Sequence, residues 1–155
     1  MTDTRQDFLH DLNTALGIPD ARRKVVGKVL LAWWQSEGGA TKGLPRAGWE
    51  TDFNPFNTTL RVQGHSHDQP GNTVPVQVYD SRGVGLAATA ETLSLPRYAP
   101  IIKAMKRKGV KARTIANRII ESDWGTAPHP FLDVLDDINR GLWDSYARIP
   151  VYRQT

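Results

Sequence analysis

Residues 30–39, LLAWWQSEGG, leave this chain few choices. Leu30, Leu31, Trp33 and Trp34 make the end of a helical segment apolar nearly all round, and a helix of that kind has to be buried on several sides. The glycines that follow, Gly38 and Gly39, accept the left-handed geometry that closes a helix, so the helix is expected to stop at Glu37. A carboxylate therefore ends a core helix, three and four residues after the two tryptophans and on the face they occupy. An indole wall and the negative end of the helix dipole both favour the protonated carboxyl, which is the state a general acid needs. On this stretch alone, a polar residue at the exposed end of a core helix is the simpler reading.

With 155 residues, 39% of them hydrophobic and 23% charged, the chain is long and apolar enough for one domain with a real core. It has no cysteine, which excludes a disulfide scaffold and a thiolate metal site. No apolar run reaches the length of a membrane span, so no membrane partner is expected. The start, MTDTRQDFLHD, is polar and acidic rather than a secretory leader, and delivery beyond the cytoplasm would need another agent. The net charge of +4 suits an anionic partner without choosing one. Five tryptophans suit both a core and the stacking of sugar rings.

Helical spacing of Phe8, Leu9, Leu12 and Leu16 predicts a first helix over 4–16, closed by Gly17. Asp20 is placed to cap a second over 21–37, with Arg22, Arg23, Lys24 and Lys28 as a solvated face. Residues 38–75 are rich in Gly, Pro, Asn, Thr and Asp, and a loop of that length inside a compact domain is usually functional. Within it, 58–62 and 74–79 read as two short strands around a glycine-rich tip at 64–71. His65, His67 and Asp68 sit at that tip. No other ligands stand at matching intervals, so a flexible polar tip without a metal is expected. Further helices are predicted over 85–95, 98–108, 110–121 and 131–143. The basic cluster from Lys103 to Arg113 spans a helix–turn–helix. Such a turn can hold DNA, but a solvated turn is the plainer reading and no nucleic-acid partner is expected.

Four pieces stand in a fixed order: Trp33-Trp34-Gln35-Ser36-Glu37-Gly38-Gly39; Asn54-Pro55-Phe56-Asn57-Thr58-Thr59; Val78-Tyr79-Asp80-Ser81 leading into Gly85-Leu86-Ala87-Ala88-Thr89; and Ser122-Asp123-Trp124-Gly125-Thr126. Together, across residues 8–126, they resemble lysozyme-like proteins of actinobacteriophages that attack peptidoglycan. The layout is also similar to bacterial glucosaminidase and lytic transglycosylase domains. The resemblance implies an α+β, mostly α fold: a single lysozyme-like domain over 1–126 with a small β-hairpin beside a cleft, followed by a helical appendage over 127–155. It implies Glu37 as general acid, with Asn54, Asn57 and Thr58 contacting sugar hydroxyls or N-acetyl groups and Tyr79 across the cleft. The residue-level alternatives are turn formation for Asn54 and Asn57, core packing for Tyr79, and helix packing for Trp124. Glycosidases usually use two carboxylates, and Asp80, Asp52 and Glu91 are candidates for the second. A single-glutamate route, in which the substrate supplies the internal nucleophile, is preferred and needs no cofactor or metal. The expected partners are peptidoglycan glycan strands and, through 127–155, other proteins of a phage particle. The expected location is therefore the virion, the host cytoplasm or the cell wall. Two other readings stay open: a non-catalytic virion component built on the same fold, and a DNA binder acting through 103–113.

Overall fold

A computed structural model describes residues 3–37, 53–71 and 73–149. The fold is mostly helical with one small antiparallel sheet, an α+β arrangement. The helices are α1 Arg5–Ala15, α2 Asp20–Glu37, α3 Arg82–Leu93, α4 Ala99–Lys106, α5 Ala112–Glu121, α6 Pro128–Asp137 and α7 Trp143–Ala147. A 3-10 turn, Pro96–Tyr98, leads into α4, and a π-helical turn, Ile138–Leu142, joins α6 to α7.

The core is built around α2. Val29, Leu30, Leu31, Ala32 and Trp33 are wholly buried and Trp34 nearly so, which is the all-round burial that the apolar run requires. Burial of each valine or leucine among them contributes about 1.5–3 kcal/mol. The helix touches α1, α4, α5, α6 and α7. Phe8 of α1 meets Trp34 edge-on at 5.3 Å, and Phe56, from the loop after the undescribed stretch, lies between the tryptophans at 4.5 and 6.1 Å. Phe56 thereby anchors that loop to the end of α2.

Residues 128–149 belong to the same core. Phe131, Leu132, Val134, Leu135, Ile138, Tyr146 and Ala147 join the cluster formed by α1 and α2, so the expected division at 126/127 falls inside a continuous apolar interior. The last helix also differs from the expected run over 131–143. α6 opens on Pro128, but His129 within it is extended (φ −120°, ψ 138°), so the continuous helical run begins at Pro130, and the regular coil gives way before Gly141, whose φ of 106° is left-handed.

Two other expectations change. Arg22 is buried rather than part of a solvated face: its guanidinium donates to the carbonyls of Met105, Ala104 and Val110 at 2.9, 3.3 and 2.7 Å. Those carbonyls lie at and just beyond the end of α4, where the helix has no partners of its own for them. The strands also shift. β1 is Ser66–Asp68, within the expected tip, and pairs with β2, Gln77–Tyr79, in the register Ser66–Tyr79, His67–Val78, Asp68–Gln77. Residues 58–62 pass beside β2 with one backbone bond, Gln77 N–H to the Thr58 carbonyl. Polar side chains decide this: Ser66 Oγ donates to Gln77 Oε1 at 2.8 Å, and Gln77 Nε2 to Asp68 Oδ1 at 2.7 Å.

Candidate active site

Glu37 is the last described residue of α2, and it is half-buried. Three donors from three parts of the chain converge on its carboxylate. Trp33 Nε1 lies 3.1 Å from Oε1, Thr126 Oγ1 lies 2.9 Å from Oε1, and Asn57 Nδ2 lies 3.1 Å from Oε2. The indole also donates to Thr126 Oγ1 at 3.0 Å, closing a triangle of Trp33, Thr126 and Glu37. The expected indole wall therefore presents its N–H edge, not an apolar face. Each carboxylate oxygen accepts about two hydrogen bonds. Oε1 has both, whereas Oε2 has one among the described residues, so Oε2 is the oxygen with room for an exchangeable proton.

Asn57 reaches Glu37 because its backbone is left-handed, with φ of 57°. Asparagine tolerates that region better than other side chains. The loop behind it is held rigidly. Buried Asn54 donates through Nδ2 to the carbonyls of Thr58 and Gln77 at 2.9 and 2.8 Å. Its Oδ1 accepts from the Thr58 amide at 2.9 Å and the Thr58 hydroxyl at 3.1 Å. Thr58 Oγ1 also pairs with the Tyr79 hydroxyl at 2.8 Å, which lies 2.7 Å from the Leu60 carbonyl. Burial pushes the Tyr79 phenol up from its ordinary value, opposed by its bond with Thr58. Of the residues expected to meet substrate, Asn57 alone touches Glu37. Asn54, Thr58 and Tyr79 spend their polar atoms on one another and on nearby carbonyls, and so set the position of Asn57.

Of the candidates for a second carboxylate, neither Asp80 nor Glu91 bonds Glu37 or Asn57 among the described residues. Asp80 is exposed and lies 2.8 Å from His65 Nδ1. Glu91 is exposed on α3. Asp52, with the glycines expected to end α2, lies outside the described residues. His67 is exposed on β1, and Asp68 is held below the usual carboxylate range by its bonds from Gln77 and Arg61. Among the described residues, no group of three or more His, Asp or Glu side chains could hold a metal ion. Lys103, Lys106, Lys108, Lys111 and Arg113 are exposed, Arg113 at 3.8 Å from Asp136.

A groove of about 250 Å³ adjoins the site. Asn57, Thr59, Val74, Arg97, Asp123 and Trp124 line it. Trp124 forms its inner wall: the indole packs on Trp33 at 4.8 Å and Tyr98 at 4.9 Å, and its Nε1 donates to the Phe56 carbonyl at 2.9 Å. Its polar edge is turned inward, as helix packing demands, while it remains only half-buried.

Sequence reasoning missed Thr126, which bonds Glu37, and did not mark Arg97, which lines the groove. Thr126 ends the fourth ordered piece, and Gly125, with φ of 80°, turns the chain so that the hydroxyl faces Glu37. A glycine followed by a hydroxyl residue after a helix was the available signal. Arg97 had none, since a lone arginine beside a proline reads as surface.

Protein-family models, curated proteins and solved structures were all compared with this chain, and none matches it.

Proposed function

We propose that this protein cleaves the β-1,4 glycan bond of peptidoglycan with Glu37 as its single acid and base. The observation that carries the reading is the carboxylate itself: fixed through Oε1 by Trp33 and Thr126, with a single partner on Oε2 among the described residues, Asn57, which also lines a groove walled by an aromatic. Asp80 is committed to His65, which favours the route in which the substrate supplies its own nucleophile. On that route Oε2 protonates the leaving glycosidic oxygen. A neighbouring N-acetyl oxygen or 6-hydroxyl attacks the anomeric carbon, and Glu37, now ionised, takes up the proton of the incoming hydroxyl or water. The ordered resemblance to phage lysozyme-like proteins supplies the polymer, and muramidase, glucosaminidase and lytic transglycosylase specificities all fit.

The test is zymography on actinobacterial cell wall with wild type and Glu37→Gln. Clearing by wild type and a loss of about 10²–10⁴-fold in the variant is the expected result. Reducing ends in the digest mark hydrolysis, and 1,6-anhydro ends mark a lytic transglycosylase.

One observation favours a second reading, a non-catalytic virion component. Two of the donors on Glu37, Asn57 and Thr126, tie the end of α2 to the 53–60 loop and the 122–126 turn, so the carboxylate also serves as a structural knot. Leu142, 46% exposed beside Trp143, would then be part of a docking face. On that reading wild type clears no wall, and Glu37→Gln changes stability alone.

A further inference from the structure

Arg97 stands at the groove beside Glu37, exposed, with its guanidinium 5.1 Å over the Tyr98 ring. Tyr98 is buried and packs in turn on Trp124. Cation–π contact of this kind limits the freedom of the guanidinium without using its donors. Among the described residues no carboxylate pairs with it, whereas its basic neighbour Arg118 bonds Glu121 at 2.8 Å. A charged fork that shares a groove with Asn57, the residue that bonds Glu37, and that has no carboxylate partner among the described residues, is a group suited to bind an anion.

We propose that Arg97 selects a carboxylate-bearing substituent on the sugar bound in this groove. The inference rests on the glycan-cleaving reading above and names the part of the polymer that the site discriminates. At about 250 Å³ the groove takes a single ring or branch rather than a whole oligosaccharide. Val74, 56% exposed, and Trp124 offer apolar contact to a ring. Asp123, an acceptor in the same groove, fits a hydroxyl or amide N–H on the branch. Beyond Arg97 a second hollow of about 220 Å³, lined by Pro100, Arg118, Glu121 and Asp123, leaves room for the branch to continue. Neutral glucosamine polymers carry no group for the fork. Muramyl sugars do, either as a free lactyl carboxylate or as a carboxylate of the attached peptide.

The experiment measures binding to the Glu37→Gln protein, so that nothing is cleaved, by calorimetry with three ligands of one backbone length. These are chitotetraose, an alternating glucosaminyl–muramyl tetrasaccharide stripped of peptide, and the same tetrasaccharide bearing tripeptide stems. At least about tenfold tighter binding of a carboxylate-bearing ligand over chitotetraose is expected, the value of one charge-assisted contact. Adding Arg97→Ala should erase that preference, and Arg97→Lys should retain part of it. The stripped and stem-bearing arms distinguish the lactyl from the peptide carboxylate. Because Arg97 is exposed and makes only the one ring contact with Tyr98 among the described residues, its replacement should leave the melting temperature near that of the parent, which a thermal melt checks. Equal binding of chitotetraose, or a preference that survives Arg97→Ala, overturns the assignment. If wild type still clears cell wall in that case, the catalytic reading stands alone. If no ligand binds and no wall is cleared, both readings fall.

Discussion

Gly85→Ala is the substitution that most sharply links this fold to its site. In the first turns of a helix, alanine is ordinarily the better residue by about 0.5–1 kcal/mol. Here the added Cβ would stand 2.0 Å from the Phe53 carbonyl oxygen, 2.8 Å from Phe53 Cβ and 3.0 Å from the Phe53 carbonyl carbon. Comfortable contact between such atoms begins near about 3.5 Å, so the Phe53 backbone must retreat by roughly 1–1.5 Å. Phe53 is already left-handed, with φ of 51°, and has little latitude to absorb the shift. Overpacking of this kind costs about 1–3 kcal/mol. Set against the helix gain, a net loss of roughly 1–2 kcal/mol remains, or about 2–8 °C in Tm for a chain of this size.

The displaced segment leads, four residues on, to Asn57. A shift near 1 Å at a positioning group lowers activity by about a hundredfold, so, on the glycan-cleaving function proposed above, cell-wall clearing should fall by more than the stability loss alone would give. Circular dichroism melts and turbidity assays read the two effects. Gly83→Ala is the internal control, because a Cβ at Gly83 meets nothing within 4 Å. That variant should match or exceed wild type. If Gly85→Ala is as stable and as active as Gly83→Ala, the close approach of α3 to the 53–60 loop does not govern the site.

Asn54→Ala should destabilise by roughly 2–4 kcal/mol, since the Thr58 amide and the Thr58 and Gln77 carbonyls lose partners inside the protein; urea titration measures it, and a loss below about 0.5 kcal/mol would show that the loop holds itself. Tyr79 should be a late-titrating tyrosine. Its phenol is pushed up by burial, so its contribution to stability is complete below the ordinary tyrosine value of about 10. That contribution is then lost as pH rises through the folded-state value. The slope of unfolding free energy above pH ~10 should therefore be shallower in Tyr79→Phe than in wild type, and equal slopes would refute the buried assignment.

Where composition and spacing act locally, the sequence was a good guide. The run Leu30, Leu31, Trp33, Trp34 demanded a buried helix, and α2 is buried there on all sides. Gly17, with φ of 68°, follows α1 where the pattern placed it. The errors came where a side chain serves a distant segment. Arg22 looked like a surface cation because nothing nearby in sequence announces the carbonyls of residues 104, 105 and 110 that it satisfies. β1 formed within the supposed tip because Ser66 and Asp68 bond Gln77 across the hairpin, and alternation of apolar residues carries no record of that. The segment after Pro128 read as separate because the sugar-cleft pattern ends at Thr126, yet Phe131 and Leu135 fill space that α2 leaves open.

The same distinction explains how much of the site was legible. Glu37 stood out because its signal, tryptophans at i−3 and i−4, lies in one helix. What the spacing could not convey is which edge of the indole would turn toward the acid. Nor could it reveal that Thr126, 89 residues away, would take the other bond on the same oxygen. Asn54, Asn57 and Thr58 look alike in sequence, as polar residues of one motif, and the fold divides them by backbone geometry. Asn54 and Thr58 face inward, where every polar atom needs a partner, and they meet that need with one another and with β2. Asn57 alone takes the left-handed turn that carries its amide back to Glu37. One motif thus supplies both the rigid support and the one of its own side chains that bonds Glu37, and that bond falls on Oε2, the oxygen that Trp33 and Thr126 leave alone.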